Sequence, residues 1–186
     1  MAATTLDGKL ANKGLLGPKV GLGDRLDAIN DYMTALNTVL STQCMSTGAW
    51  AEGTNANTIQ NAAIVYYTIA NRLYSKAATN NIAMTAATAQ VALSSCCYLI
   101  CLDTAGTVTT VKGTDSLTAS GVAPNVPAPT AGTCPVAVLR VTVANAATFT
   151  AGSTDLSASD VTGVFANFVG VQPGGLAVAA LQPEAI

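Results

Sequence analysis

The chain has 186 residues, of which half are apolar and only 10% are charged, whereas an ordinary soluble domain carries roughly 25% charged residues. The surface is therefore either neutral and rich in Ser, Thr and Asn, or largely covered by other protein copies, and we favour the second alternative. The net charge of −2 gives no overall attraction to nucleic acid. No apolar stretch reaches the ~20 residues of a membrane-spanning helix, and no secretory signal is recognisable at the start.

Residues 1–23 are rich in glycine and show no hydrophobic periodicity. Lys9, Lys13 and Lys19 lie in this stretch and Arg25 follows it, in a chain with only eight basic residues. We expect an extended arm whose basic residues contact an acidic partner surface and become ordered there. The alternative is an ordinary frayed terminus.

Residues 24–45 contain the amphipathic helix, with Asp24 as its predicted N-cap. Apolar residues recur at heptad spacing at Leu26, Ile29, Met33, Leu36 and Leu40. This stripe either packs on the chain's own β-domain or forms an oligomer contact with copies of itself. The second alternative predicts a homotrimer.

Residues 46–57 form a loop that holds Trp50, the single tryptophan. A tryptophan in a glycine-rich loop is usually a local packing anchor. The alternative is an interface anchor, because tryptophan is enriched at binding hot spots.

Residues 46–172 are predicted to form a β-domain, and residues 173–186 a C-terminal tail. Residues 63–69 and 73–78 form a first hairpin, while residues 96–112 form a second, with an apolar central strand and an alternating edge strand. Residues 82–93 are ambiguous between a strand and a short helix. The fold class is mainly β: a small antiparallel β-sandwich or barrel-like domain, preceded by the extended arm and one amphipathic helix.

Residues 113–132 form a long proline-containing connection, and residues 136–143 then alternate as a strand. On this strand Ala137, Leu139, Val141 and Val143 should form the core face. In the last strand, residues 161–171, Phe165 and Phe168 cannot share a face, which predicts a β-bulge at Gly163 or Gly170.

The side chains of common catalytic sites are missing. The chain has no histidine, hence neither the usual general base near neutral pH nor the commonest metal ligand. Its five cysteines do not have zinc-site spacing and are interpreted as reduced, buried small residues. The carboxylates are scattered and no phosphate-binding loop is present. We therefore expect no enzymatic activity, cofactor, metal or small-molecule substrate.

A run of short motifs, spread over roughly residues 65–168, resembles a family of small tailed-bacteriophage virion proteins. The motifs are Lys76-Ala77-Ala78-Thr79, the Asp-x-x-Gly turn at 103–106, Cys134-Pro135 before an alternating strand, and FTAGSTDL at 149–156. They are turns and strand starts, so they describe a fold more directly than a role. The resemblance implies a head-decoration (cement) or head-fibre protein, usually trimeric.

Together these features predict a virion structural protein, made in the host cytoplasm, that binds the major capsid protein on the outer capsid surface and stabilises the assembled shell. One alternative is a head-fibre or tail-fibre component. Another is a module that binds a host-surface glycan through Trp50, Tyr66 and Tyr67. A surface-layer or pilus subunit is a further alternative, which the missing signal sequence disfavours.

Overall fold

The computed structural model describes residues 27, 29–31, 33 and 41–170. The chain divides into two compact units, Met1–Ser41 and Thr42–Ile186. In the first unit the five described residues before Ser41 are helical, as predicted for this part of the chain. The predicted helical segment 24–45 nevertheless extends too far, because Gln43 and Cys44 already form a β-strand.

The second unit is mainly β, as predicted, and its described part contains eleven strands. They are β1 (Gln43–Cys44), β2 (Trp50–Glu52), β3 (Thr58–Asn61), β4 (Val65–Ile69), β5 (Arg72–Lys76), β6 (Thr79–Ala83), β7 (Ser94–Leu102), β8 (Val108–Lys112), β9 (Ser116–Leu117), β10 (Cys134–Val143) and β11 (Val161–Asn167). One short 3-10 helix, Thr118–Ser120, follows β9.

These strands form three antiparallel sheets. The central sheet has the order β11-β10-β7-β8, with β9 also paired to β7, and the two smaller sheets have the orders β1-β4-β5 and β2-β3-β6. Strands β1 and β4 contact β10, while β2 contacts β11. Each smaller sheet therefore packs on the central sheet, which gives a layered β-domain.

The hairpin predicted at residues 96–112 is confirmed, with β7 between β10 and β8 and with β8 outermost in that direction. The turn is closed by Asp103, whose Oδ1 accepts the backbone N–H groups of Ala105 and Thr107, each at 2.8 Å. Gly106 has φ +77°, a conformation that glycine adopts without steric cost. The local sequence thus determines this element without help from distant residues.

Strand β10 is buried on both faces over its first half. Leu139 and its predicted core-face neighbours are buried, but Val136 and Val138 on the other face are also fully buried. The alternation holds only near the end, where Arg140 and Thr142 are half-buried. The single-face prediction was therefore wrong for the beginning of the strand.

The predicted bulge in β11 was also wrong. Gly163 pairs with Val141 in a continuous register along β11, so no extra residue is inserted. Phe165 lies opposite Leu139, and the Phe168 N–H, just beyond the strand, donates to the Val136 carbonyl. Both phenylalanines find cover because this part of β10 is buried on both sides.

The ambiguous stretch 82–93 is the end of β6 followed by irregular chain, without a helix among its residues, all of which are described. It is held by Gln90, which is fully buried. The Gln90 Nε2 donates to the carbonyls of Ser94 and Val141 at 3.0 and 3.1 Å. A buried amide with its hydrogen bonds satisfied fixes a segment that lacks apolar periodicity.

Candidate functional surfaces

The structure describes two of the predicted site residues of the N-terminal unit. Ile29 and Met33 lie in the helical part, and more than half of each side chain is exposed. The remaining residues fall outside the described part of the chain: the basic residues Lys9, Lys13, Lys19 and Arg25, and the stripe residues Leu26, Leu36 and Leu40. The arm and the oligomer contact stay predictions.

Trp50 begins β2 and is only 3% exposed, inside the core of the β-domain. Its backbone N–H donates to Asn167 Oδ1 at 2.8 Å, which ties β2 to the end of β11. This position corresponds to the packing-anchor alternative. A buried indole offers almost no surface to a partner, so we do not propose Trp50 as an interface anchor.

The three aromatic residues named for glycan binding do not form one platform. Tyr67 is fully buried, and its hydroxyl donates to the Asp103 carbonyl at 2.7 Å. Neighbouring residues on a strand point to opposite faces, so Tyr66 lies on the outer face of β4, where 46% of it is exposed. With Trp50 also buried, Tyr66 alone of the three is open to a sugar.

The five cysteines are free thiols and all are buried, as predicted. Burial raises the pKa of Cys44 and Cys97 to about 11 and that of Cys96 and Cys134 to about 12, and it also raises the pKa of the Cys101 thiol. The nucleophilic form of cysteine is the thiolate, so these thiols are unreactive near neutral pH.

Over the described residues, no group of three or more potential ligands among Asp, Glu, Cys and His side chains could hold a metal ion. In the same residues no helix is long and apolar enough to cross a membrane.

Exposed apolar side chains form a first cluster around β9, here called the β9 cluster: Val91, Leu93, Leu117 and Val122, each between 48% and 67% exposed. Hydrogen bonds hold these residues together, because Leu117 pairs with Ser94 and the Leu93 carbonyl accepts the Thr118 N–H at 2.8 Å. The hydroxyls of Ser94 and Ser116 donate to the carbonyls of Val91 and Val122, each at 2.6 Å. Val122 also lines a shallow depression of about 150 Å³.

Leu93 in this cluster has an unusual backbone conformation. Its φ is +54°, the left-handed region in which a non-glycine residue is uncommon. The side chain that this conformation presents is 55% exposed, so burial in the β-domain does not compensate for the strain. Such strain often marks positions used for contact or function.

A second group of exposed apolar side chains covers the outer face of the β1-β4-β5 sheet, here called the β5 cluster: Met45, Ile64, Tyr66 and Leu73. Tyr66 and Leu73 are diagonal neighbours, because Tyr66 pairs with Ser75 and Thr68 pairs with Leu73. The Met45 N–H donates to the Tyr66 carbonyl at 2.8 Å. These contacts place Met45, Tyr66 and Leu73 beside one another. Ile64 adjoins them, because the hydroxyl of Ser46, the residue after Met45, donates to the Ile64 carbonyl at 3.3 Å.

The two clusters lie at the two ends of β7. The β9 cluster adjoins Ser94, where β7 begins, and the Tyr67 hydroxyl joins the β1-β4-β5 sheet to Asp103, just after β7 ends. A nine-residue strand spans roughly 30 Å. The β-domain thus presents apolar surface at two separated places. The sequence pattern did not predict these places, because alternation does not distinguish an exposed apolar side chain from a buried one.

The four basic residues of the β-domain differ in their surroundings. Lys112 forms an ion pair with Asp115 at 2.7 Å, and Arg140 lies on the central sheet and interacts with its surroundings. Arg72 and Lys76 stand at the two ends of β5, and neither forms an ion pair or a side-chain hydrogen bond with another described residue.

Compared with known proteins, the chain matches no protein-family model, no curated protein and no solved structure.

Proposed function

We propose that the chain is a non-enzymatic virion structural protein that binds the outer surface of an assembled bacteriophage capsid and stabilises it. The observation that carries the proposal is the pairing of a nearly uncharged body with two exposed apolar clusters about one strand length apart. Contiguous exposed apolar surface typically marks protein contacts. Two such places on one small domain suit a protein that sits between neighbouring subunits.

The predicted arm and helix complement this body. Lys9, Lys13 and Lys19 would contact acidic capsid surface, and the apolar stripe would join copies of the chain into a trimer. In the described part of that stripe, Ile29 and Met33 are exposed, as a contact with other copies requires. Binding to the assembled shell, but not to its dissociated subunits, stabilises the shell by mass action.

The test is co-sedimentation of the purified chain with assembled capsids of the phage that encodes it. Deleting residues 1–23 should abolish capsid binding and leave the circular dichroism spectrum of the β-domain unchanged. The matched control keeps the charges, with Lys9→Arg, Lys13→Arg and Lys19→Arg together, and should bind as the full chain does. Undiminished binding by the deletion variant would remove the arm from the proposal.

The trimer has its own measurement, the native mass by sedimentation equilibrium. We expect a trimer that dissociates when Ile29→Asp and Met33→Asp are introduced together, because burying two charges in an apolar contact is unfavourable. A wild-type chain that stays monomeric at every concentration tested would contradict the oligomer contact.

A further inference from the structure

The outermost strand of the β1-β4-β5 sheet has an open hydrogen-bonding edge. Strand β5 pairs with β4 on one side and with no described strand on the other. Ala70 and Asn71 form a two-residue turn before Arg72, so Ile69 and Arg72 close the hairpin as a hydrogen-bonded pair. Pairs then alternate along the hairpin, which directs the N–H and C=O groups of Leu73 and Ser75 away from β4.

These outward groups have no hydrogen-bond partner among the described residues. Beyond them the edge closes, because the next outward carbonyl, that of Ala77, accepts the Asn61 Nδ2 at 2.9 Å. The opening is therefore about one short strand in length, bounded by the turn at Asn71 and by Asn61.

Several other strand edges in the β-domain are covered. Thr85 and Thr110 exchange backbone-to-hydroxyl hydrogen bonds of 2.8 and 2.9 Å beside β8. The Gly170 N–H donates to the Cys44 carbonyl at the edge of β1. Strand β6 is interrupted by Asn81 at φ +54°. Proteins cover or distort strand edges in these ways to prevent unwanted pairing, and no described residue covers β5 in this way.

The side chains of β5 indicate the chemistry of a partner. Arg72, Tyr74 and Lys76 share one face, with the two cations on either side of the half-buried Tyr74 ring. Leu73, 64% exposed, and Ser75 share the other face. A strand laid along this edge would meet positive charge at both ends and apolar surface between them.

We propose that β5 binds an extended acidic segment of another polypeptide, which adds to the sheet as an antiparallel strand. The alternating N–H and C=O groups of the edge match a polypeptide backbone. In antiparallel register the partner would place acidic residues opposite Lys76 and Arg72, with apolar residues opposite Tyr74 and Leu73. Its expected core is acidic–polar–apolar–apolar–acidic. This inference does not depend on the proposed capsid role.

A second copy of the chain suits the edge less well. Two β5 strands paired antiparallel about Tyr74 would place Arg72 of one copy opposite Lys76 of the other. Like charges directly opposite each other destabilise a strand pair. The same cations attract an acidic segment and repel a copy of the strand.

The probe is a fluorescein-labelled peptide with the core Glu-Thr-Val-Val-Glu, titrated into the full chain and followed by fluorescence anisotropy. We expect saturable binding that weakens as salt rises. Arg72→Gln with Lys76→Gln should weaken it roughly fivefold, because two partly exposed ion pairs are lost. The control Arg72→Lys with Lys76→Arg keeps both charges and should bind nearly as wild type.

Proline in the probe tests the backbone contacts. The second and fourth peptide positions lie opposite Ser75 and Leu73 and would exchange hydrogen bonds with them. Proline at the fourth position should therefore abolish binding, whereas proline at the third position, whose N–H points away from β5, should be tolerated. Equal effects at the two positions would overturn strand addition.

Amide hydrogen exchange by NMR locates the contact. The Leu73 and Ser75 amides should exchange rapidly in the free chain and slowly with the peptide bound. If they are already protected without peptide and the chain self-associates, a second copy occupies the edge and the proposal is wrong. Absence of saturable binding, or binding that ignores both charge and proline position, would mean that Arg72 and Lys76 only guard the edge against aggregation.

Discussion

The central sheet and the β1-β4-β5 sheet are covered to different extents. Eight of the nine residues of β7 are buried, whereas none of the five residues of β5 is. The central sheet contains the core of the domain, since β7 and β10 are packed on both faces. The β1-β4-β5 sheet buries one face, whereas its other face and the β5 edge are not covered by described residues. The comparison teaches that the central sheet supplies most of the buried core, whereas the β1-β4-β5 sheet supplies mainly exposed surface.

The prediction with the largest expected effect compares the substitution of one leucine in each of the two sheets. Leu139→Ala in β10 should lower the free energy of unfolding by about 3 kcal/mol, because it removes buried methyl groups and leaves a cavity. Leu73→Ala in β5 should change it by less than about 0.5 kcal/mol, because the side chain is already exposed. Urea denaturation followed by circular dichroism measures both changes. Similar losses of unfolding free energy would contradict the difference in burial between the two sheets.

The β7–β8 and β4–β5 hairpins also differ at their turns, because the first is held by a carboxylate. In the β7–β8 turn the Thr107 and Ala105 N–H groups, donating to Asp103, hold the pKa of that carboxyl below its ordinary value of 3.8. A lowered folded-state pKa stabilises the fold above the unfolded-state pKa, and this contribution is lost as pH falls through the folded-state pKa. Asp103 is half-buried in a surface turn, and solvent screening keeps the contribution small, about 0.5 kcal/mol.

Asp103→Asn should therefore lower the unfolding temperature at neutral pH, and the difference from wild type should shrink as the pH drops below about 4. Thermal unfolding at a series of pH values measures this convergence. The control is Glu52→Gln, since the Glu52 side chain accepts no hydrogen bond from another described residue. If the difference in unfolding temperature stays the same at the lowest pH, the effect of Asp103→Asn comes from altered hydrogen-bond geometry and not from the lost charge.

The local elements could be predicted from the sequence because each is determined by neighbouring residues. The β7–β8 hairpin follows from an apolar run, the Asp103–Gly106 turn chemistry and an alternating strand. The β4–β5 hairpin likewise follows from two β-rich runs around a short turn. In both cases the turn and the hydrophobic pattern specify the pairing together.

Features that depend on distant contacts could not be predicted in this way. The double burial of Val136 and Val138 requires the sheets that pack on β10, and the core position of Trp50 requires Asn167 from the far end of the domain. The edge of β5 is open because no described strand pairs with its far side. A single strand carries no signal for its missing neighbour, although Arg72 and Lys76 at its two ends were visible in the sequence.

The last test concerns the turn of the β4–β5 hairpin. Ala70 and Asn71 have φ of +49° and +64°, the type I′ geometry in which asparagine is strongly preferred to alanine at the first position. Ala70→Asn should therefore raise the free energy of unfolding by about 0.5 kcal/mol, seen as a higher urea midpoint. Ala105→Asn in the other turn is the matched control, because Ala105 does not adopt a positive φ and gains nothing. Equal gains in unfolding free energy at both positions would mean that Ala70 adds no particular backbone strain to the β4–β5 turn. The difference between the two turns would then depend on the hydrogen bonds of Asp103 alone.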